Sequence, residues 1–147
     1  MRTIVFGKKF VDSKYDFRET CFGICEKNGL LLLTKNTKKN EIAMVGGGLE
    51  KGETHEGCLK REFLEESGYT IEGIDEFCTI DCFWLAGGKR PMESLANFYI
   101  VKLSDNGGVP IEEGHEPIWA PVDEVEDLLP LPYHKEAIKQ YLSLKNK

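Results

Sequence analysis

Three glutamates stand at a spacing that suits metal chemistry. Glu62, Glu65 and Glu66 occupy positions i, i+3 and i+4, so on an α-helix their carboxylates share one face within an arc of about 100°. Like charges this close repel, and on a purely structural helix each pair costs a few tenths of a kcal/mol. A nearby cation would turn that cost into a benefit, but the triplet alone is also typical of a solvated acidic face.

The chemistry of the ligands restricts which cation this cluster would bind. An open set of carboxylate oxygens suits a hard divalent ion such as Mg²⁺ or Mn²⁺. Such an ion keeps several waters and is usually held by substrate phosphates as well. The cluster therefore indicates phosphoryl chemistry.

The residues around the triplet extend it into a longer pattern. From Gly47 the chain reads Gly, five residues, Glu53, seven residues, Arg61-Glu62-Phe63, one residue, Glu65-Glu66, one residue and Gly68-Tyr69. This segment, residues 47–69, resembles the Nudix box, GX5EX7REUXEEXGU, at every fixed position. The bulky U positions are Phe63 and Tyr69 here, and Val45 stands where many members have Pro.

The resemblance implies a Nudix diphosphohydrolase, in which water attacks a phosphorus of a nucleoside diphosphate linked to a further group X. It implies Mg²⁺ or Mn²⁺ as cofactor, with Glu62, Glu65 and Glu66 as metal ligands and Glu65 and Glu66 as catalytic residues. We expect the glycine run to bring a backbone carbonyl, that of Gly46, close to the metal.

Other residues of the segment are expected to support the site. Glu53 and Arg61 would form an ion pair that ties the loop to the helix. Gly47 lets the backbone take unusual dihedral angles, and Gly68 caps the helix C-terminus. His55 is interpreted as a surface histidine.

Two candidates lie outside the segment. Family members commonly supply a further Glu from a later loop, as a metal ligand or general base, and we choose Glu113 with Glu116 as second choice. A solvated acidic loop that also includes Glu112 is the alternative. Phe83 and Trp84 are candidates to stack on the base of the substrate, although strand alternation directs one of them inward.

Turn and cap signals define the first elements. A strand is predicted over 3–6, and a hairpin pairs 20–25 with 30–33 across the Asn28-Gly29 turn. A basic loop follows over 35–39, and a strand over 42–45 leads into the glycines. Thr54 starts a helix that runs through Ser67, with Leu59, Phe63 and Leu64 anchoring it on a sheet.

The second half of the chain predicts a long antiparallel pair over 74–85 and 95–103. A short strand over 118–121 and helices over 122–129 and 133–144 follow. Helices between strands in mixed order favour an α/β/α sandwich with a mixed β-sheet, as in the Nudix fold. We expect one domain over residues 1–147.

Composition narrows the class of protein. The 147 residues are 41% hydrophobic and 30% charged with a net charge of -6, which suits a globular domain and opposes a nucleic-acid polymer as partner. No apolar stretch suits a membrane span, and we expect a cytoplasmic monomer or homodimer acting on a small-molecule nucleotide. The five cysteines are interpreted as buried free thiols rather than a four-thiolate zinc site.

The box does not define the group X. Residues 84–86 lack the Pro typical of ADP-ribose enzymes and the Tyr typical of dinucleoside polyphosphate enzymes. The small chain is most similar to the nucleoside-triphosphate and sanitising branch. A nucleotide-sensing or protein-binding module without turnover is the alternative, which the intact acids oppose. Isoprenoid diphosphate isomerisation would need an added Cys and Glu, and nothing specific supports it.

Overall fold

The structure, a computed structural model, describes residues 2–7, 9, 14–104 and 107–146. This part of the chain contains strands β1 (Arg2–Phe6), β2 (Asp16–Ile24), β3 (Glu26–Lys27), β4 (Leu30–Asn36), β5 (Glu41–Gly48), β6 (Ile71–Ala86), β7 (Arg90–Leu103) and β8 (His115–Pro121). It also contains helices α1 (His55–Ser67), α2 (Val125–Leu128) and α3 (Pro132–Lys145). The strands form a mixed sheet in the order β1-β6-β7-β2-β5-β4-β3, and β8 pairs with β4.

Alternate residues of the central strands face opposite sides of this sheet. Leu31 and Leu33 of β4 lie in an apolar cluster with α3, whereas Leu32 lies in a second cluster with α1. Side chains of a strand alternate with period two, so each face of the sheet buries its own helix. The predicted α/β/α sandwich with a mixed sheet is confirmed.

Helix α1 has the predicted ends. The Thr54 side chain accepts a hydrogen bond from the Gly57 N–H at 3.0 Å. At the other end Gly68 adopts φ 76° and donates its N–H to Phe63 and Leu64 carbonyls. Leu59 and Phe63 are fully buried against the sheet. Leu64, the third expected anchor, is only half-buried.

The predicted hairpin has the right turn and the wrong first strand. Asn28 and Gly29 have positive φ, and the turn joins β4 to the short β3. Residues 20–25 lie instead in and just after β2, between β5 and β7 in the sheet centre. They are buried on both faces, which is typical of a central strand rather than half of an exposed hairpin.

Three further predictions need correction at their boundaries. The strand predicted over 42–45 continues through the glycines, because Thr20, Cys21 and Phe22 of β2 pair with them. Lys35 and Asn36, predicted as loop, belong to β4. The helix predicted over 122–129 is reduced to the four residues of α2.

The remaining predicted elements are confirmed with small extensions. The short strand at 3–6 is β1, and the strand at 118–121 begins at His115. The long pair is the antiparallel β6 and β7, and the last helix is α3. Among the described residues no helix has the length and apolar character to cross a bilayer.

The cysteines are free and buried, as predicted. Cys21 and Cys25 lie in the cluster on the α1 side of the sheet, whereas Cys78 and Cys82 lie in the cluster on the α3 side. Because the sheet separates the two pairs, they cannot share one zinc ion.

Candidate active site

The glycines at the end of strand β5 lie against helix α1. A Cβ on Gly46, whose φ is 152°, would lie 2.1 Å from the Cys21 carbonyl oxygen. A Cβ on Gly47 would lie 2.7 Å from Glu62 Oε1. The absence of side chains therefore lets the Glu62 carboxylate lie directly on the backbone of β5.

Arg61 bonds the segment before α1 to the helix, as predicted. Its Nε donates to Glu53 Oε2 at 2.7 Å and its Nη2 to Glu53 Oε1 at 2.9 Å. Nη2 also donates to the Gly48 carbonyl at 3.0 Å. These hydrogen bonds lower the pKa of Glu53 to about 2, so this pair stays ionised and holds loop, strand and helix together.

The same guanidinium reaches two of the three predicted ligands. Arg61 Nη1 donates to Glu62 Oε1 at 2.8 Å and to Glu65 Oε2 at 3.3 Å. Arg61 thus fixes the orientation of both carboxylates and neutralises part of their charge. Burial nevertheless raises the pKa of Glu62, against the lowering effect of Arg61.

Glu66 is the most buried acid of the cluster. Its Oε1 accepts the Gly46 N–H at 2.9 Å, so the N–H of Gly46 faces this residue. The pKa of Glu66 is raised to about 9, first by burial and then by the nearby charges of Glu62 and Glu112. Without a cation, the proton is retained on Glu66 at neutral pH.

Glu62, Glu65 and Glu66 therefore lie together on one face of α1, as predicted. Their carboxylate oxygens suit a hard divalent cation. Within the described residues, no group of three or more His, Cys, Asp or Glu is already arranged to hold a metal. Arg61 and the Gly46 N–H occupy oxygens of all three acids, so binding would require the carboxylates to reorient.

Sequence reasoning missed a histidine beside this cluster. The side chain of His115, at the start of β8, is 13% exposed and its Nδ1 lies 3.8 Å from Glu66 Oε2. Its Nε2 lies 3.1 Å from Glu112 Oε1. The only sequence signal for His115 is its position among the acids of the loop.

The loop before β8 packs along the C-terminal end of α1. The Glu112 N–H donates to the Glu65 carbonyl at 2.9 Å, and the Ile111 N–H donates to that of Leu64 at 3.4 Å. Of the three loop acids, Glu112 is the one whose charge acts on Glu62 and Glu66. Glu113 follows it in an exposed position, and Glu116 is exposed in β8 opposite Lys35.

Phe83 and Trp84 face opposite sides of the sheet, as alternation requires. Trp84 packs on the α3 side, 6.1 Å from the Tyr133 ring, and donates its Nε1–H to Ser94 at 2.9 Å. Phe83 contacts Tyr15 edge-on with 5.5 Å between ring centroids. Both side chains are half-buried.

His55 is not a free surface residue. Its Nδ1 lies 2.5 Å from the Tyr99 hydroxyl and its Nε2 lies 3.2 Å from Glu19 Oε2. It therefore links the start of α1 to β2 and β7.

Comparison with known proteins agrees with this arrangement. The family model described as the NUDIX domain matches residues 18–143. The MutT protein of Bacillus halodurans is similar in structure with a TM-score of 0.68 and 20% identity, over 83% of this chain and 80% of that one. A NUDIX hydrolase of Nitrosomonas europaea has a TM-score of 0.68 and 18% identity, over 87% of this chain and 90% of that one. The MutT NUDIX hydrolase of Burkholderia pseudomallei has a TM-score of 0.67 and 23% identity, over 85% of this chain and 98% of that one.

The match over most of the chain shows that this protein belongs to the Nudix family. It is a hydrolase that acts on pyrophosphate bonds, and its substrates are nucleoside diphosphate derivatives.

Proposed function

We propose that this hydrolase cleaves a nucleoside triphosphate or a modified nucleotide and depends on a divalent cation held at α1. The observation that carries the proposal is the crowding of Glu62 and Glu66 at the glycines of β5. Burial raises the pKa of both carboxyls, and the charge of Glu62 adds to the rise at Glu66. A cation placed among them would stabilise their ionised forms.

Glu62, Glu65 and Glu66 would hold the cation, and the Gly46 carbonyl is our candidate backbone ligand. When bound, Mg²⁺ or Mn²⁺ neutralises phosphate oxygens and lowers the pKa of water. Arg61 orients Glu62 and Glu65 through its two Nη1 hydrogen bonds. Glu65 and Glu66, with Glu113 on the exposed loop, are the candidates to take a proton from the attacking water.

The nucleotide is proposed to lie on the α3 side of β5. Arg18 pairs in register with Ser94, the hydroxyl of which accepts from Trp84. The Arg18 guanidinium would lie 3.0 Å from a Cβ on Gly48. Burial raises the pKa of Tyr133, and the charge of Arg18 acts against that rise. Arg18 and the half-buried indole of Trp84 thus lie on the same face of the sheet. A cationic side chain suits a phosphate and an indole suits a base.

The test is hydrolysis of a panel of nucleoside triphosphates, modified nucleotides and dinucleotides, with Mg²⁺, with Mn²⁺ and with EDTA. We expect activity that EDTA abolishes, and a loss in kcat of about 10²-fold or more for Glu62→Gln and Glu66→Gln. Glu56→Gln is the matched control, since Glu56 is an exposed acid of the same helix. Hydrolysis that EDTA leaves unchanged would contradict the metal role, and binding without turnover would favour the sensing module.

A further inference from the structure

His115 lies where three parts of the fold meet. It is contacted by Thr34 from β4, by Glu66 from α1 and by Glu112 from the loop before β8. Thr34 is 2% exposed, and the histidine side chain is 13% exposed. The ring nitrogens of a largely buried imidazole need polar partners, and these three residues supply them.

Each ring nitrogen of His115 has a polar partner. Nδ1 and the Thr34 hydroxyl form a hydrogen bond of 3.3 Å. Nε2 lies 3.1 Å from Glu112 Oε1, at ion-pair distance. The imidazole therefore lies between the buried hydroxyl of β4 and the carboxylate of the loop.

The backbone already joins this loop to α1 and to the end of β4. The Ile111 and Glu112 N–H groups donate to carbonyls of α1 at 3.4 and 2.9 Å, and the Gly114 carbonyl accepts the Thr37 N–H at 2.8 Å. No backbone hydrogen bond among these positions the Glu112 carboxylate itself. The contacts of His115 add a side-chain connection between that carboxylate and β4.

We propose that His115 is a positioning residue for the hydrolysis reaction: it holds Glu112, and with it residues 111–112, against the carboxylates of α1. The inference rests on the proposed function for its catalytic consequence. Its structural part, that the imidazole fixes the loop, can be measured without turnover. The proposed role explains why Glu112 is the loop acid whose charge acts on Glu62 and Glu66.

The test compares His115→Phe, which keeps a ring and removes the polar contacts to Thr34 and Glu112, with His115→Gln, which keeps a donor and an acceptor. Amide hydrogen exchange is followed in a peptide spanning 107–114, with an α1 peptide as internal reference. For His115→Phe we expect exchange about tenfold faster in the loop and unchanged in α1. We also expect kcat to fall about 10-fold or more with little change in KM. His115→Gln should restore most of both.

Thr34→Val is the second variant, because it removes only the hydroxyl that contacts the ring. This variant decides the test if His115→Phe does not fold. It should shift exchange and kcat in the same direction. His55→Phe, which removes another histidine with two partners, should leave loop exchange unchanged. Unchanged loop exchange in both His115→Phe and Thr34→Val would overturn the inference, as would an equal loss of kcat in His115→Gln and His115→Phe. A wild-type protein inactive on every nucleotide would contradict the proposed function alone, since the exchange result still decides the structural part.

Discussion

Glu66 is a carboxyl whose charge depends on what binds beside it. It is 9% exposed, and its pKa is raised to about 9 by burial first and by neighbouring acids second. In the unfolded chain the same group titrates near 4.5. Between these two values the folded, metal-free protein keeps a proton that the unfolded chain has released.

This difference predicts a pH-dependent stability. Because the folded state binds more protons than the unfolded state, the free energy of unfolding falls as pH rises from about 4.5 toward 9. The slope from this group is on the order of 1 kcal/mol per pH unit. We expect thermal unfolding in EDTA to show the decline between pH 6.5 and 8.5, and Glu66→Gln to flatten it. An unchanged slope in that variant would contradict the burial argument.

The loop acids make a second prediction at this scale. A general base contributes about 10²–10⁴-fold to rate, so the Gln variant that removes it should lose kcat and keep nucleotide binding. We expect this loss for Glu113→Gln, with Glu112→Gln and Glu116→Gln as comparisons in the same loop and strand. Steady-state kinetics decide it: a full-rate Glu113→Gln enzyme would refute the choice, and full rates in all three would return the role to α1.

Sequence alone predicted the residues whose partners are close in the chain. The Glu53–Arg61 ion pair and the shared face of Glu62, Glu65 and Glu66 follow from helical spacing and are present. His115 could not be found this way, because Thr34 and Glu66 approach it only when β4, β8 and α1 pack together. Spacing rules describe neighbours on one element and not contacts between elements.

At the scale of elements, the glycines of β2 and β5 decide how closely α1 approaches the sheet. A Cβ on Gly23 would lie 2.4 Å from the buried Phe63 ring, and one on Gly47 would lie 2.7 Å from Glu62 Oε1. Both positions therefore exclude larger residues, but for different reasons. The first contact is in the core, and the second is at the carboxylates.

These two contacts predict different phenotypes. Gly23→Ala should destabilise the protein by about 1–3 kcal/mol, because Phe63 has no free space to move into. Gly47→Ala should displace Glu62 and lower kcat, with a smaller loss of stability because a carboxylate end can move. Denaturant unfolding and kcat are measured for both variants. Equal stability losses with unchanged kcat in Gly47→Ala would show that the glycine serves packing alone.

The elements themselves were predicted where local signals are strong. The caps of α1 and the Asn28-Gly29 turn depend on single residues and were found in place. The predicted pairing of residues 20–25 with 30–33 was wrong, because an apolar run does not indicate which strands lie beside it. The glycines of β5 were expected to end the strand, yet pairing with β2 continues through them.

At the scale of the whole molecule, the glycine strand connects the two faces of the sheet. Neighbouring residues of β5 point to opposite sides: a Cβ on Gly47 would meet Glu62 on the α1 side, and one on Gly48 would meet Arg18 on the α3 side. With no side chains between them, the carboxylates and Arg18 lie on either side of one thin strand. A nucleotide whose phosphates reach the α1 carboxylates would have to pass around the edge of β5 beyond Met44, where its pairing with β4 ends, to place its base toward Trp84.

This arrangement predicts which aromatic residue binds the base. Trp84→Leu should raise KM for the substrate about tenfold, since base stacking on an aromatic ring contributes roughly 1–3 kcal/mol. Phe83→Leu is the matched control, because Phe83 is also half-buried but lies on the opposite face, against Tyr15. Leucine keeps apolar volume at both sites, and thermal unfolding of each variant separates lost packing from lost binding. If KM rises only in Phe83→Leu, the base lies on the α1 side of the sheet, and the placement proposed for the nucleotide is wrong.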